Sequence, residues 1–241
     1  MERVADDGTQ MLLDDALLAG VDTIIVISFD SLRTGQVAAP SEIEAVRRFL
    51  GDSDHLIFVC PHHDIGEAAE QTEQARLAQQ VAEFHHHGDK AIPPRQGFGG
   101  FARTLLAGLG VPVENRFGLR PAREVDGAPA PIEAERSLDR LGLLAGVATF
   151  NLHPHLPQLE RIDASASRMD VLARQCIDLA APPHAFTQGG VERSMRSCNP
   201  GPEVFAGTAL VSDTTLWSST TGGVDSLRRL WSNVTGRARR G

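Results

Sequence analysis

Apolar positions along this chain alternate between unbroken β-branched runs and stripes of helical spacing. Thr23, Ile24, Ile25, Val26 and Ile27 form one such run, and Leu56, Ile57, Phe58, Val59 and Cys60 another. Continuous apolar runs of this length predict strands buried on both faces of a parallel sheet. Between them Ser41 opens a predicted helix, with Glu44 three residues on in capping-box position. Ile43, Val46, Phe49 and Leu50 make its inner stripe, and Gly51 ends it. Strand, loop, helix and strand in that order predict a right-handed crossover unit.

The same reading predicts a short helix over 11–19 and an amphipathic helix over 67–84. A further helix over 101–109 is closed by Gly110, and Val111 to Val113 enter an extended segment. Residues 120–132 read as exposed loop or an edge hairpin, 145–152 as a strand, and 169–179 as a mixed segment. Pro- and Gly-rich stretches at 92–100 and 182–202 read as loops. Ala209, Leu210 and Val211 form the last core strand, and 224–234 a closing helix. The fold class this predicts is α/β, a single three-layer domain with a mostly parallel, flavodoxin-like central sheet. That domain spans 21–235, after an N-terminal segment with a short helix (1–20) and before a disordered tail (236–241).

Composition narrows the partners. With 41% hydrophobic and 22% charged residues the chain reads as globular, and a formal net charge of −8 supplies no overall field toward nucleic acid. No run approaches the ~18 apolar residues of a membrane span. The first ten residues lack a signal peptide's apolar stretch, so a cytoplasmic location is expected. Cys60, Cys176 and Cys198 are odd in number and lack CxxC spacing, which points away from a disulfide framework. The expected partner is a small-molecule ligand, with neither nucleic acid nor membrane; a homo-oligomer stays open.

Candidate chemistry gathers where predicted elements end. The chain has nine histidines, most of them in three tight groups. His62, His63 and Asp64 follow the second strand, His85, His86 and His87 close the 67–84 helix, and His153 and His155 flank Pro154. In open α/β sheets ligands bind outside the carboxyl ends of the strands. Asp30 and Ser31 follow the first strand with Arg33 close by, and Asp213 and Thr214 follow the last, so three strand ends offer groups to one crevice. Two imidazoles and a carboxylate suit a divalent metal, zinc above all, with a position left for water. The ligand set expected is His62, His63, Asp64, His153 and His155, while Asp30, Ser31, Arg33, Asp213 and Thr214 would contact the ligand. The opposing reading is a solvated loop whose histidines cap backbone groups.

Four short motifs carry a resemblance. Pro40 to Glu44 leading into Phe49, Leu50 and Gly51 is one, and the strand from Leu56 to Asp64 is the next. The others are Thr104 to Val111, and Leu210 to Trp217 running on to Asn233. Together they resemble the class I glutamine-amidotransferase-like superfamily, in particular its divergent members related to trehalose-utilisation proteins and to auxiliary subunits of gliding-motility transporters. The resemblance spans about 20–235 and implies an amidotransferase-like α/β domain. In that superfamily the nucleophile sits in a G-x-C-x-G elbow. Here Cys60 lies near the equivalent strand end, but between Val59 and Pro61.

The leading expectation is a small-molecule hydrolase acting on a C–N or ester-like bond. His62, His63, Asp64 and Cys60 are the candidate catalytic residues, with metal-bound water or a histidine base as the activating group. Pro61 to Asp64 also loosely resembles the motif of zinc-dependent deacetylases, and His63-Asp64 that of metal phosphohydrolases. The alternative is a non-catalytic amidotransferase-like module that binds a ligand or serves as a scaffold.

Overall fold

The computed structural model describes residues 10–28, 36–61, 72–74, 77, 81, 100–111, 113–153, 156–161, 169–180, 198–200, 205–218 and 222–237. For residues 114–119, 156–158, 160, 161 and 198–200 it describes the backbone alone. In chain order the elements are α1 (Asp15–Leu18), β1 (Thr23–Ser28), α2 (Pro40–Phe49), β2 (Leu56–Pro61) and α3 (Phe101–Leu109). Then come β3 (Val113–Leu119), β4 (Ile132–Ala134), β5 (Leu156–Arg161), β6 (Met169–Val171), β7 (Ala173–Gln175) and β8 (Cys198–Pro200). Last are β9 (Thr208–Val211), a 3-10 turn (Thr214–Trp217) and α4 (Val224–Thr235).

β1, β2 and β9 lie side by side and parallel, with β2 in the middle. β8 joins β9 antiparallel, β6 joins β8 antiparallel, and the five-strand order is β1-β2-β9-β8-β6. The sheet is therefore mixed, a parallel centre with an antiparallel flank, and the expectation of a mostly parallel sheet holds for its first three strands. β3 pairs with β5, and β4 with β7, in separate antiparallel ribbons.

Strand parity decides which core each side chain enters. Ile57 and Val59 of β2, with Ala209 and Val211 of β9, face one cluster, which also takes Val46, Phe49, Leu105 and Leu109 from α2 and α3. Leu56, Phe58 and Cys60, with Leu210, face the other, which takes Leu143, Val147 and Phe150 with Leu227, Leu230 and Val234 of α4. All six residues of β2 are buried. This is why an unbroken apolar run, rather than an alternating one, encodes the central strand.

α2 begins two residues earlier at its cap than the capping-box pattern predicts. Pro40 occupies the first turn, where its missing N–H costs nothing, and Ala39 is the cap residue. Glu42, fully buried, returns its carboxylate to the Ala39 N–H (2.9 Å) and also accepts from the Leu13 N–H (3.0 Å). One carboxylate thus caps the helix and anchors the segment that precedes β1. α3 agrees with its predicted bounds, and Gly110 closes it at φ 73°, the left-handed conformation glycine permits. Gly108 lets α3 approach α2 closely: a Cβ there would stand 2.4 Å from the Ile43 side chain.

The strand expected over 145–152 is absent. Ala148 and Thr149 give their N–H groups to the Ser226 hydroxyl, each at 3.0 Å, and the Asn151 carbonyl accepts from Gln175. With these backbone groups bonded to side chains, the segment forms no ladder, although Val147, Phe150 and Leu152 are buried as a strand's would be. Residues 120–132 do form a hairpin, bridged at Arg123 and Pro129 and turned at Gly127 (φ 86°). Of the helix expected over 67–84, Glu73, Gln74, Leu77 and Val81 are helical and most of the remainder lies outside the described residues. Arg237, at the start of the expected tail, donates to the Asp54 carbonyl. No helix among the described residues is long and apolar enough to cross a membrane.

Candidate functional site

Register brings three strand ends level. Ser28 of β1 pairs with Pro61 of β2, and Val59 pairs with Val211 of β9. The Ser212 N–H donates to the Val59 carbonyl (3.1 Å), extending that ladder by one residue. The chain then turns: Asp213 is extended at φ −94° and caps the 3-10 turn through its carboxylate, which accepts from the Thr215 N–H at 2.7 Å. The Thr214 hydroxyl donates to the Cys60 carbonyl (2.6 Å) and lies 3.5 Å from the Ser28 carbonyl. A single threonine therefore fastens all three parallel strands at their carboxyl ends. Ser28 Oγ in turn accepts from the Ala102 N–H (3.4 Å), which brings the start of α3 to the same edge.

Polar side chains are concentrated here. Ser28, Ser212, Asp213, Thr214 and Thr215 are all buried, in a place where apolar packing would be less costly. Asn151 and Gln175, also buried, join them from the second face of the sheet. Asn151 donates from Nδ2 to the Thr215 carbonyl (2.6 Å), its Oδ1 lies 3.4 Å from the His153 backbone nitrogen, and its own carbonyl accepts from Gln175 Nε2 (2.8 Å). Through this one asparagine, half-buried His153 is tied to the Ser212–Thr215 turn, about sixty residues on in the chain. Among the described residues, three buried side-chain atoms of this region make no hydrogen bond: Gln175 Oε1, Ser212 Oγ and Thr215 Oγ1.

Cys60 points away from the strand-end edge into the second core, beside Phe58. It is fully buried, and Trp217 Nε1 donates to its sulfur at 3.2 Å. Burial pushes the thiol well above the ordinary cysteine range. The Trp217 hydrogen bond works against that rise, and the negative charge of Asp213 adds to it. A nucleophilic cysteine needs an accessible thiolate, and Cys60 is an inaccessible, protonated thiol. Trp217 also stacks on Trp231 (6.0 Å between ring centres, 10° between planes), whose indole N–H donates to the Leu216 carbonyl. The two tryptophans thus wall the apolar side of the polar cluster.

Of the residues expected at the site, Asp213 and Thr214 lie side by side at the end of β9, His153 reaches the same turn only through its backbone and Asn151, and Cys60 is turned inward. His62, His63, Asp64, Asp30, Ser31, Arg33 and His155 lie outside the described residues, as do His85, His86 and His87. Among the described residues no group of three or more His, Cys, Asp or Glu side chains could hold a metal ion. His55 is half-buried: it stacks on Phe49 at 4.1 Å and bonds through Nδ1 to the Phe49 carbonyl at 2.7 Å. Ser28, Asn151, Gln175, Ser212 and Thr215 went unmarked by sequence. Ser28 and Ser212 carry a usable signal, each being the polar residue that ends an apolar run; Asn151 and Gln175 carry none, because tertiary packing alone joins them. No protein-family model, curated protein or solved structure matches this chain.

Proposed function

We propose that this chain is an amidotransferase-like, three-layer α/β domain that binds a small molecule over the carboxyl ends of β1, β2 and β9 and hydrolyses a C–N or ester-like bond in it. The observation that carries the reading is the gathering of Ser28, Ser212, Asp213 and Thr214 at one edge, fastened by Thr214, with Asn151 linking the backbone of His153 to the Thr215 carbonyl. Water is the nucleophile in this account, since the Cys60 thiol is buried and protonated. In sequence His62 directly follows Pro61, the last residue of the central strand. His62, His63 and Asp64 would then supply the base or the first metal ligands, with His153 and His155 completing the set. Asp30, Ser31 and Arg33 follow Ser28 in sequence and would contact the substrate from the first strand. Zinc is the ion that two or more imidazoles and a carboxylate suit, and it would polarise the scissile carbonyl or acidify bound water.

The test is elemental analysis of purified protein together with hydrolysis of p-nitrophenyl acetate and acetyl p-nitroanilide. The account expects stoichiometric zinc or measurable turnover, lost in His63→Ala while the thermal midpoint stays within about 2 °C. A second reading, a non-catalytic ligand-binding module, draws on the inert Cys60 and on the use of Asp213 as a turn cap. Metal-free protein that turns over neither ester nor anilide, and whose stability ignores chelators, would establish it instead.

A further inference from the structure

Buried polar atoms in folded proteins nearly always have a partner, and those without one call for an explanation. Here Gln175 Oε1, Ser212 Oγ and Thr215 Oγ1 lack partners, in three side chains that are each at least nine-tenths buried. They belong to one neighbourhood. Asn151 bonds to both Thr215 and Gln175, and Ser212 directly precedes Asp213, the cap of the turn that contains Thr215. The Gln175 amide is oriented by its Nε2 donation to the Asn151 carbonyl, so its unpartnered atom is the acceptor oxygen. Both hydroxyls sit one rotatable bond from the backbone and can turn by a rotamer change without backbone movement.

All three unpartnered atoms can serve as acceptors. The Gln175 oxygen can only accept, and each hydroxyl can accept through its lone pairs. Asp213, fully buried between Ser212 and Thr215 in sequence, adds a negative charge whose field reaches the Cys60 sulfur. Three acceptors beside a carboxylate match a group with three N–H donors and one positive charge.

We propose that Gln175 Oε1, Ser212 Oγ and Thr215 Oγ1 receive the primary ammonium group of the small molecule bound over the strand ends. The inference rests on the crevice reading above but not on catalysis there, and it names the substrate class as a primary amine in its protonated form.

Methylammonium chloride is the probe, and the protein carries its own reporter. The chain has two tryptophans and no tyrosine; Trp217 ends the turn, two residues after Thr215, and stacks on Trp231, so intrinsic emission reads this region. Tetramethylammonium chloride has the same charge with no N–H donor and serves as the control. The expected result is a saturable emission change with methylammonium and none with tetramethylammonium. Thr215→Val keeps the shape and removes a hydroxyl that bonds to nothing, so its thermal midpoint should match or exceed the wild type while its methylammonium affinity falls about tenfold or more. Ser212→Ala should behave alike. Responses that are linear in concentration, that are equal for the two salts, or that survive in both variants overturn the inference. So does a fall in midpoint in Thr215→Val without a change in binding, the mark of a buried water rather than a ligand subsite. Saturable binding that persists in His63→Ala without any turnover would leave this inference standing and remove the hydrolase.

Discussion

Cys60 makes a sharp statement at the scale of one side chain. Its folded state retains a proton that the unfolded chain begins to release near the ordinary cysteine value of about 8.5. With the folded value raised, the unfolded state binds fewer protons than the folded one above that pH, and stability falls as pH rises. Below it the two states are equally protonated at this position and the contribution is flat. Urea midpoints between about pH 7 and pH 10 should therefore decline more steeply in the wild type than in Cys60→Ala. Equal slopes would mean that the thiol titrates normally. Gly223 is the second residue whose identity is dictated locally. It caps α4 at φ 67°, and a Cβ there would stand 2.4 Å from the Phe150 carbonyl oxygen. Gly223→Ala should cost about 1–3 kcal/mol or more by chemical denaturation. Gly127→Ala, at φ 86° with nothing within 4 Å, should cost only the backbone strain, about 1 kcal/mol.

Elements were legible wherever local pattern and tertiary environment agree. β1, β2, β9, α3 and α4 all lie where the apolar runs and glycine stops place them, because their packing follows from periodicity alone. The 145–152 segment misled because burial without pairing looks the same in sequence as burial in a strand. Only the Ser226 hydroxyl, some 80 residues away, decides between them. The start of α2 misled because two carboxylates, Glu42 and Glu44, lie on the same first turns. The one that faces inward wins: Glu42 is buried, whereas Glu44 pairs with Arg47 at the surface. Glu42→Ala would leave the Leu13 and Ala39 N–H groups without their acceptor, at a cost of about 3 kcal/mol. Glu44→Ala should change stability by less than about 0.5 kcal/mol. A reversed order in the two denaturation midpoints would show that the capping box predicted from sequence forms in solution.

At the scale of the molecule, one sheet separates two cores, and its parallel centre ends in an edge of buried polar side chains. The position of that edge was readable, since Asp213 and Thr214 directly follow an apolar run. Its second tier was not, because Asn151 joins His153, Gln175 and Thr215 by contacts that no spacing encodes. The central claim is that these strand ends and the His153 segment form one binding surface. Amide-resolved NMR during titration with phenyl acetate and acetanilide tests it most directly. The account predicts saturable shifts that cluster on Ser28, Asn151, His153 and Ser212 to Thr215. Shifts scattered over the surface, or confined to residues away from that edge, would contradict it.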